Sequence, residues 1–235
     1  MLSLHGSCGV EKVWCAPVET QRRAGVELVK NRIELAARLS CAVITMHTGE
    51  PDPRAPDPYW AAIRRSLDEL EPFARAHAVR IALENGTWAV LQRLLGDYPP
   101  DYVGLCYDTG HGNLGPEHRI QPRTAAPPEI WLGAGYYVGD GGGLAGLESW
   151  KDRLISVHLH DNDGRQDLHT PLFSGTVDWP RLAHIMATSA YAGPASMETV
   201  MVDSGFTDEA AFLAHVFDTG SRFARMVEDG GEMPS

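Results

Sequence analysis

Short apolar segments recur along the chain, and most are followed by a turn and then by a longer stretch with helical periodicity. The apolar segments predict strands at residues 2–5, 42–47, 79–84, 102–108, 154–160 and 195–200. Strands that alternate with helices predict a parallel sheet, because parallel neighbours need a long crossover connection. The predicted class is therefore α/β, with a parallel sheet and outer helices.

Apolar positions spaced three and four residues apart predict the helices. They are expected over residues 19–39, 58–77, 88–95, 144–150, 181–188 and 208–227. Asp178 is a predicted N-cap with Pro180 in the first turn, and Thr207 with Asp208 starts the last helix. The proline- and glycine-rich stretch 116–143 breaks this rhythm. It is predicted to be a loop inserted within a single domain that covers residues 1–235.

The two faces of the predicted strands differ in side-chain size, since residues two apart share a face. One face carries the small residues Ser3, Thr45, Ala82, Cys106, Ser156 and Ser196, and the other carries Leu4, Met46, Leu83, Tyr107, Val157 and Met197. In a closed parallel barrel the large side chains pack against helices and the small ones point inward. The carboxyl ends of the strands then form one mouth, where TIM-type barrels place their active sites.

Each predicted strand ends at a side chain that can bind a metal. These residues are His5, His47, Glu84, Asp108, His158 with His160, and Glu198. One such residue alone is usually a solvated cap. Three carboxylates and several imidazoles at one mouth instead predict a divalent cation that offsets their charge. The mixture of His, Asp and Glu suits Zn, Mn, Fe or Co better than Ca or Mg.

Residues on the loops after two of these strands extend the candidate centre. His111 lies three positions after Asp108, and the loop can turn it back toward the same centre or toward a substrate. Asp167 and His169 follow His158 and could hold a second ion. His160 and Asp161 are expected to orient His158 from behind rather than to bind the ion.

Composition narrows the classes of function. The chain has 235 residues, and the 43% of them that are hydrophobic exclude intrinsic disorder. Its net charge of -11 disfavours nucleic-acid partners, because most of the surface would repel a phosphate backbone. Four cysteines without a C-x-x-C pair predict reduced thiols and a cytoplasmic protein. No apolar run is long enough to span a membrane, and no signal segment is recognised. Phosphate-binding, dinucleotide-binding, nucleophile-elbow and H-E-x-x-H motifs are all absent from the sequence.

Five sequence motifs carry a resemblance to a known superfamily. The motifs VITMHTG, IALENG, YDTGHGNLG, VHLHDNDGRQDLH and GTVDW resemble the xylose isomerase-like TIM barrels, in particular the sugar phosphate isomerase/epimerase branch, which is related to endonuclease IV. The resemblance implies that Glu84, Asp108, His158 and Glu198 form a four-ligand metal centre and that His111 contacts substrate. It also matches His5, His47, Asp167 and His169 to the additional ligands of the trinuclear zinc site of endonuclease IV.

The chain departs from the family pattern at two points. Family barrels have eight strands, and His5 corresponds to the end of the third, so either the start of the chain is misassigned or the barrel is open and lacks the first two βα units. A homo-oligomer is one way to cover the open edge that would result. In addition, Phe173-Ser174-Gly175 stands where the family usually has Gly-Glu-Gly.

The resemblance implies a metal-dependent isomerase or epimerase of a small sugar or polyol-derived carbonyl compound, with one to three ions. Glu84 and Glu198 would transfer the proton through an enediolate. His111 and His160 would orient substrate oxygens, and Trp14 or Trp88 would cover the apolar face. Two alternatives stay open: a multinuclear phosphoesterase like endonuclease IV, and a non-catalytic truncated barrel.

Overall fold

The computed structural model describes residues 3–6, 13–48, 58–86, 88–115 and 143–230. The predicted inserted loop at 116–143 lies outside these ranges except for Gly143, which begins a helix. No helix in the described part of the chain has the length and apolar character needed to cross a bilayer. Cys15, Cys41 and Cys106 are buried and form no disulfide, and Cys8 lies outside the described residues.

Five strands form one parallel sheet with neighbours in chain order. The strands are β1 Leu4–His5, β2 Val43–Met46, β3 Arg80–Glu84, β4 Val103–Asp108 and β5 Leu154–His158. Leu4 pairs with Ile44 and His5 with Thr45, while Met46 pairs with Leu83. Residues of both predicted faces are buried in β2 to β5, as expected of a parallel sheet covered on both sides.

The sixth predicted strand, at residues 195–200, is wrong as a strand of this sheet. The segment forms an isolated parallel bridge between Met197 and Leu159, which lies just beyond the end of β5. Leu159 donates its N–H to Ser196 O, and Glu198 donates its N–H to Leu159 O. The segment follows Pro194 and runs directly into a 3-10 turn at Met201–Asp203, so no longer ladder develops.

Seven helices are present in the described residues. They are α1 Glu19–Arg38, α2 Pro58–Ala76, α3 Trp88–Asp97, α4 Thr109–Asn113, α5 Gly143–Trp150, α6 Trp179–Ala187 and α7 Glu209–Glu228. All but α4 were predicted, with ends that agree within two residues. Asp178 and Asp208 cap α6 and α7 by accepting hydrogen bonds from the N–H groups of Arg181 and Ala211.

The described residues form two compact units, and β4 passes from the first to the second between Leu105 and Cys106. In the first unit α1 packs against α2. Between them Arg22 is 3% exposed and donates hydrogen bonds to Glu19, Ser66 and Glu69. In the second unit α6 packs against α7, with the Trp179 and Phe223 rings 5.3 Å apart.

Candidate functional site

In the first unit, three neighbouring strand ends bring two imidazoles to one buried carboxylate. Glu84 ends β3 and is 3% exposed. His5 Nε2 lies 3.3 Å and His47 Nε2 3.4 Å from Glu84 Oε2. The parallel register explains the grouping, because His5, at the end of β1, and His47, directly after β2, reach the edge at which β3 also ends.

Local contacts aim these imidazoles at Glu84. His5 Nδ1 lies 2.8 Å from the carbonyl oxygen of Gly6. A proton on His5 Nδ1 leaves Nε2 without one, so Nε2 and Glu84 Oε2 could both bind a cation placed between them. Trp14 is 3% exposed and donates its indole N–H to the carbonyl oxygen of His47 at 2.9 Å. Trp14 therefore supports the backbone that carries His47.

In the second unit, Asp108, His158 and Glu198 form a compact cluster. Each offers a ligand atom, and these atoms all lie within 4.8 Å of one another. His158 Nδ1 is 2.7 Å from Glu198 Oε2 and 4.0 Å from Asp108 Oδ2. Asp108 is fully buried and the His158 side chain nearly so, whereas the Glu198 side chain is 39% exposed. The cluster therefore has one face open to a small molecule.

Asp108 is held by two further groups of the second unit. Its Oδ1 accepts a hydrogen bond from the His111 N–H at 2.8 Å, which caps the short helix α4. His160 Nε2 lies 3.0 Å from both carboxylate oxygens. Burial lowers the pKa of His160, but the charge of Asp108 and its hydrogen bond raise that pKa more, so the net shift is upward.

The three loop residues predicted as additional ligands meet in the same unit. Asp167 Oδ2 lies 3.4 Å from His111 Nε2 and 3.9 Å from His169 Nε2. His169 Nδ1 is 2.7 Å from the carbonyl oxygen of Glu198, which leaves Nε2 facing Asp167. Asp167 Oδ1 is buried without a hydrogen-bond partner among the described residues. Burial raises the pKa of Asp167, but the hydrogen bond and charge of His111 lower it more.

These donor sets fit divalent cations of the transition series. Both the His5–His47–Glu84 group and the second-unit clusters combine imidazole nitrogen with carboxylate oxygen, the set that Zn, Mn, Fe and Co share. A buried carboxylate oxygen without a partner, as at Asp167, is costly unless a cation or a donor satisfies it. The donor chemistry therefore fits a divalent cation, and in the second unit the ligand atoms of Asp108, His158 and Glu198 also lie within 4.8 Å of one another.

Two further residues support the site: Thr109, which the sequence does not single out, and Asp161, whose carboxylate binds Asn162, Val177 and Trp179 rather than His158. Thr109 Oγ1 donates to His160 O at 2.6 Å and accepts from His160 N, which ties α4 to the chain after β5. Asp161 is fully buried and accepts hydrogen bonds from Asn162 N, Val177 N and Trp179 Nε1. In the sequence, these two residues are marked only by their places in the motifs, Thr109 after Asp108 and Asp161 after His160.

Phe173, which stands where the family usually has glycine, adopts a backbone conformation that favours glycine. Phe173 has a φ of 67°, the left-handed region that costs a residue with a Cβ more than glycine. Its ring lies 4.1 Å from the Arg222 guanidinium and 5.4 Å from the Trp179 ring. These contacts hold the phenylalanine in a conformation for which glycine is the usual residue.

Comparisons with known proteins place this geometry in a family. The family model described as xylose isomerase-like TIM barrel matches residues 2–216. The uncharacterized protein y4fM of Sinorhizobium fredii is 32% identical over 219 residues, which cover 88% of this chain and 62% of y4fM. The chain therefore spans about three fifths of that relative's length.

Solved structures share the fold at low sequence identity. A D-tagatose 3-epimerase-like protein superposes with a TM-score of 0.71 at 18% identity, covering 97% of this chain and 78% of its own. An L-ribulose 3-epimerase gives 0.70 at 15% identity, covering 96% and 77%. The family model and these neighbours agree with the resemblance found in the motifs. This chain belongs to the xylose isomerase-like TIM barrel family.

Proposed function

We propose that this protein is a divalent-metal-dependent isomerase or epimerase of a small sugar or polyol-derived carbonyl compound. The observation that carries the proposal is the buried Asp108–His158–Glu198 cluster with one exposed carboxylate. Glu84 is the proposed fourth ligand. It ends β3 and is buried, and the resemblance carried by the motif IALENG implies this role.

The proposed chemistry divides between the cation and the two glutamates. A bound divalent cation would stabilise the negative charge that develops on the substrate's carbonyl oxygen. Glu198 accepts a proton from the substrate C–H, because its side chain is the exposed member of the cluster. Glu84, starting in its protonated form, would donate a different proton to the opposite face of that carbon, which leaves Glu198 protonated and Glu84 ionised after inversion. Epimerisation then needs no external oxidant or reductant.

The residues predicted to contact the substrate differ in how well they suit that role. His111 is the proposed substrate contact because the resemblance implies that role; its Nε2 lies 3.4 Å from Asp167 Oδ2, so a substrate oxygen would compete with Asp167 for it. Trp14 and Trp88 are 3% and 5% exposed, which leaves little of either ring for contact with a sugar. The proposed partner is accordingly a small carbohydrate-like molecule bound mainly by polar groups.

A deuterium-exchange experiment tests the proposal. Protein loaded with Mn²⁺ or Co²⁺ is incubated in D₂O with a panel of ketohexoses, ketopentoses and their phosphates. NMR then reports deuterium at the carbon next to the carbonyl. The wild type should exchange at least one compound, and Glu198→Gln should lose exchange by at least about 100-fold, the low end for a general base. Glu209→Gln, at the exposed start of α7, is the matched control and should match the wild type.

A second candidate, hydrolysis of a phosphoester by a multinuclear centre, is favoured by the additional ligand groups. His5 and His47 at Glu84, and His111 and His169 at Asp167, offer places for two more ions. Two ions about 3.5–4 Å apart would favour hydrolysis over isomerisation. Hydrolysis of a phosphodiester to an alcohol and a phosphomonoester, without deuterium exchange into any sugar, would select this candidate and reject the first.

A further inference from the structure

His160 occupies the space between two candidate cation clusters of the second unit. It is fully buried and lies at the end of the motif VHLH, two residues after His158. Its ring stacks on His169, with centroids 4.0 Å apart and planes 5° from parallel. Its Nε2 faces both oxygens of Asp108 at 3.0 Å, and its Nδ1 faces the carbonyl oxygen of Leu168 at 3.0 Å.

Both ring nitrogens of His160 are thus engaged by acceptors of the protein. A substrate contact would need one of them to be available, and a ligand role would need a lone pair directed at the cation. The backbone of His160 is fixed as well, because its N–H and carbonyl both bond to Thr109 Oγ1. The imidazole therefore has one orientation and no access to a bound molecule.

We infer that His160 is a positioning residue that fixes the carboxylate of Asp108 for a cation and ties it to the loop that carries Asp167 and His169. The inference rests on the proposed use of Asp108, His158 and Glu198 as ligands. Outer partners of this kind usually matter about 10- to 100-fold for metal affinity, because they set the orientation of a ligand before the metal binds. Without His160, Asp108 would keep the hydrogen bond from the His111 N–H to Oδ1 and lose the contact that holds both of its carboxylate oxygens.

The packing around His160 supports the same role. A Cβ added to Gly110 would lie 2.0 Å from His160 Cε1 and 2.6 Å from Nδ1. The glycine in the motif YDTGHGNLG is therefore required by the position of the His160 ring. Gly110→Ala displaces the ring without removing any hydrogen-bonding group of the site.

Two amide substitutions separate the contact of His160 with Asp108 from its contact with Leu168. The amide nitrogen of His160→Gln stands near the former Nε2 and can still donate to Asp108. In His160→Asn the amide nitrogen stands near the former Nδ1, so it can donate to Leu168 O and cannot reach Asp108. Both variants lose the ring and its charge equally, which makes them matched controls for each other.

The experiment is a Co²⁺ titration of full-length wild type, His160→Gln, His160→Asn and Gly110→Ala, with affinity read by calorimetry and coordination by the visible absorption spectrum. His160→Asn and Gly110→Ala should bind Co²⁺ about 10- to 100-fold more weakly with an altered spectrum, and His160→Gln should stay within about threefold of the wild type. Thermal melts of the metal-free proteins report folding separately.

Equal losses in His160→Gln and His160→Asn, matched by equal drops in melting temperature, would overturn the inference and leave a packing role. Wild-type affinity in both amide variants would overturn it as well, as would a wild type that binds no Co²⁺. The proposed function fails separately, because a wild type that binds Co²⁺ but exchanges no deuterium into any sugar still leaves the affinities of the variants readable.

Discussion

Asp161 offers a test of how the loop that carries the candidate ligands is held in place. Its Oδ1 accepts from Asn162 N at 2.9 Å and Val177 N at 3.1 Å, and its Oδ2 accepts from Trp179 Nε1 at 2.9 Å. A Cβ on Gly175 would lie 2.4 Å from Oδ1, so the segment passes very close to the carboxylate. One buried side chain therefore joins the motifs HDND and GTVDW.

Asp161→Asn should destabilise the protein by about 2–4 kcal/mol. Asparagine has one acceptor oxygen, which can serve the two backbone N–H groups, but its amide N–H₂ then faces the indole N–H of Trp179. One hydrogen bond to a charged group is lost, worth about 1.5–3 kcal/mol, and a buried donor is left unsatisfied at a further cost of about 1–3 kcal/mol. Partial relaxation of the loop should keep the total destabilisation in the lower half of what these two costs add up to, at about 2–4 kcal/mol. The melting temperature should fall by about 5–10 °C for a chain of this size.

Urea unfolding followed by circular dichroism and by tryptophan fluorescence measures the change. Asp163→Asn is the matched control, because Asp163 is exposed and its bonds to Arg165 N and Gln166 N lie in a surface turn. That variant should stay within about 0.5 kcal/mol of the wild type. Trp179→Phe combined with Asp161→Asn should show a coupling energy above about 1 kcal/mol. A change below about 0.5 kcal/mol for Asp161→Asn alone would refute the reasoning.

Two further predictions concern the first unit. Burial raises the pKa of Cys15 to about 12, so the thiol should stay protonated at pH 8. Iodoacetamide should therefore leave Cys15 unmodified in the native protein and react with it in the unfolded protein. Alkylation of Cys15 in the native protein, mapped by mass spectrometry, would contradict this. Burial raises the pKa of Glu69, but hydrogen bonds from Lys30 and Arg22 lower it more, so the net shift of that pKa is downward. The ion pairs of the Glu69 carboxylate therefore stabilise the folded state at pH 7, and this contribution is lost as the pH falls through the acidic range. Glu69→Gln should therefore cost at most about 1 kcal/mol at pH 7, and the difference from wild type in urea unfolding should shrink at pH 3, whereas a constant difference would argue against the ion pairs.

Much of the candidate site could be predicted from the sequence because a strand end is a local feature. An apolar run that stops at Glu84 or Asp108 fixes both the strand and the position of the carboxylate at its end. Neighbouring parallel strands then bring such residues to one edge without any knowledge of side-chain contacts. The grouping of His5, His47 and Glu84 follows from that rule alone.

What the sequence could not provide depends on contacts between distant residues. His160 was expected to orient His158, but its partners are Asp108 and Leu168, and no periodicity shows which acceptor a buried imidazole will find. Helix α4 was read as a loop because five residues hold too few apolar positions to show a period. The stretch before Glu198 has the composition of a strand, yet it meets Leu159 in a single bridge.

The central proposal is that Asp108, His158 and Glu198, with Glu84 as the fourth ligand, hold one divalent cation. A crystal of the protein grown with Mn²⁺ or Zn²⁺, with anomalous data collected at the metal edge, tests this directly. The account predicts an anomalous peak about 2.0–2.2 Å from a ligand atom of each of the four residues. A peak that lies beyond coordination distance of Glu84 or Asp108, or no peak near these side chains at saturating metal, would contradict it.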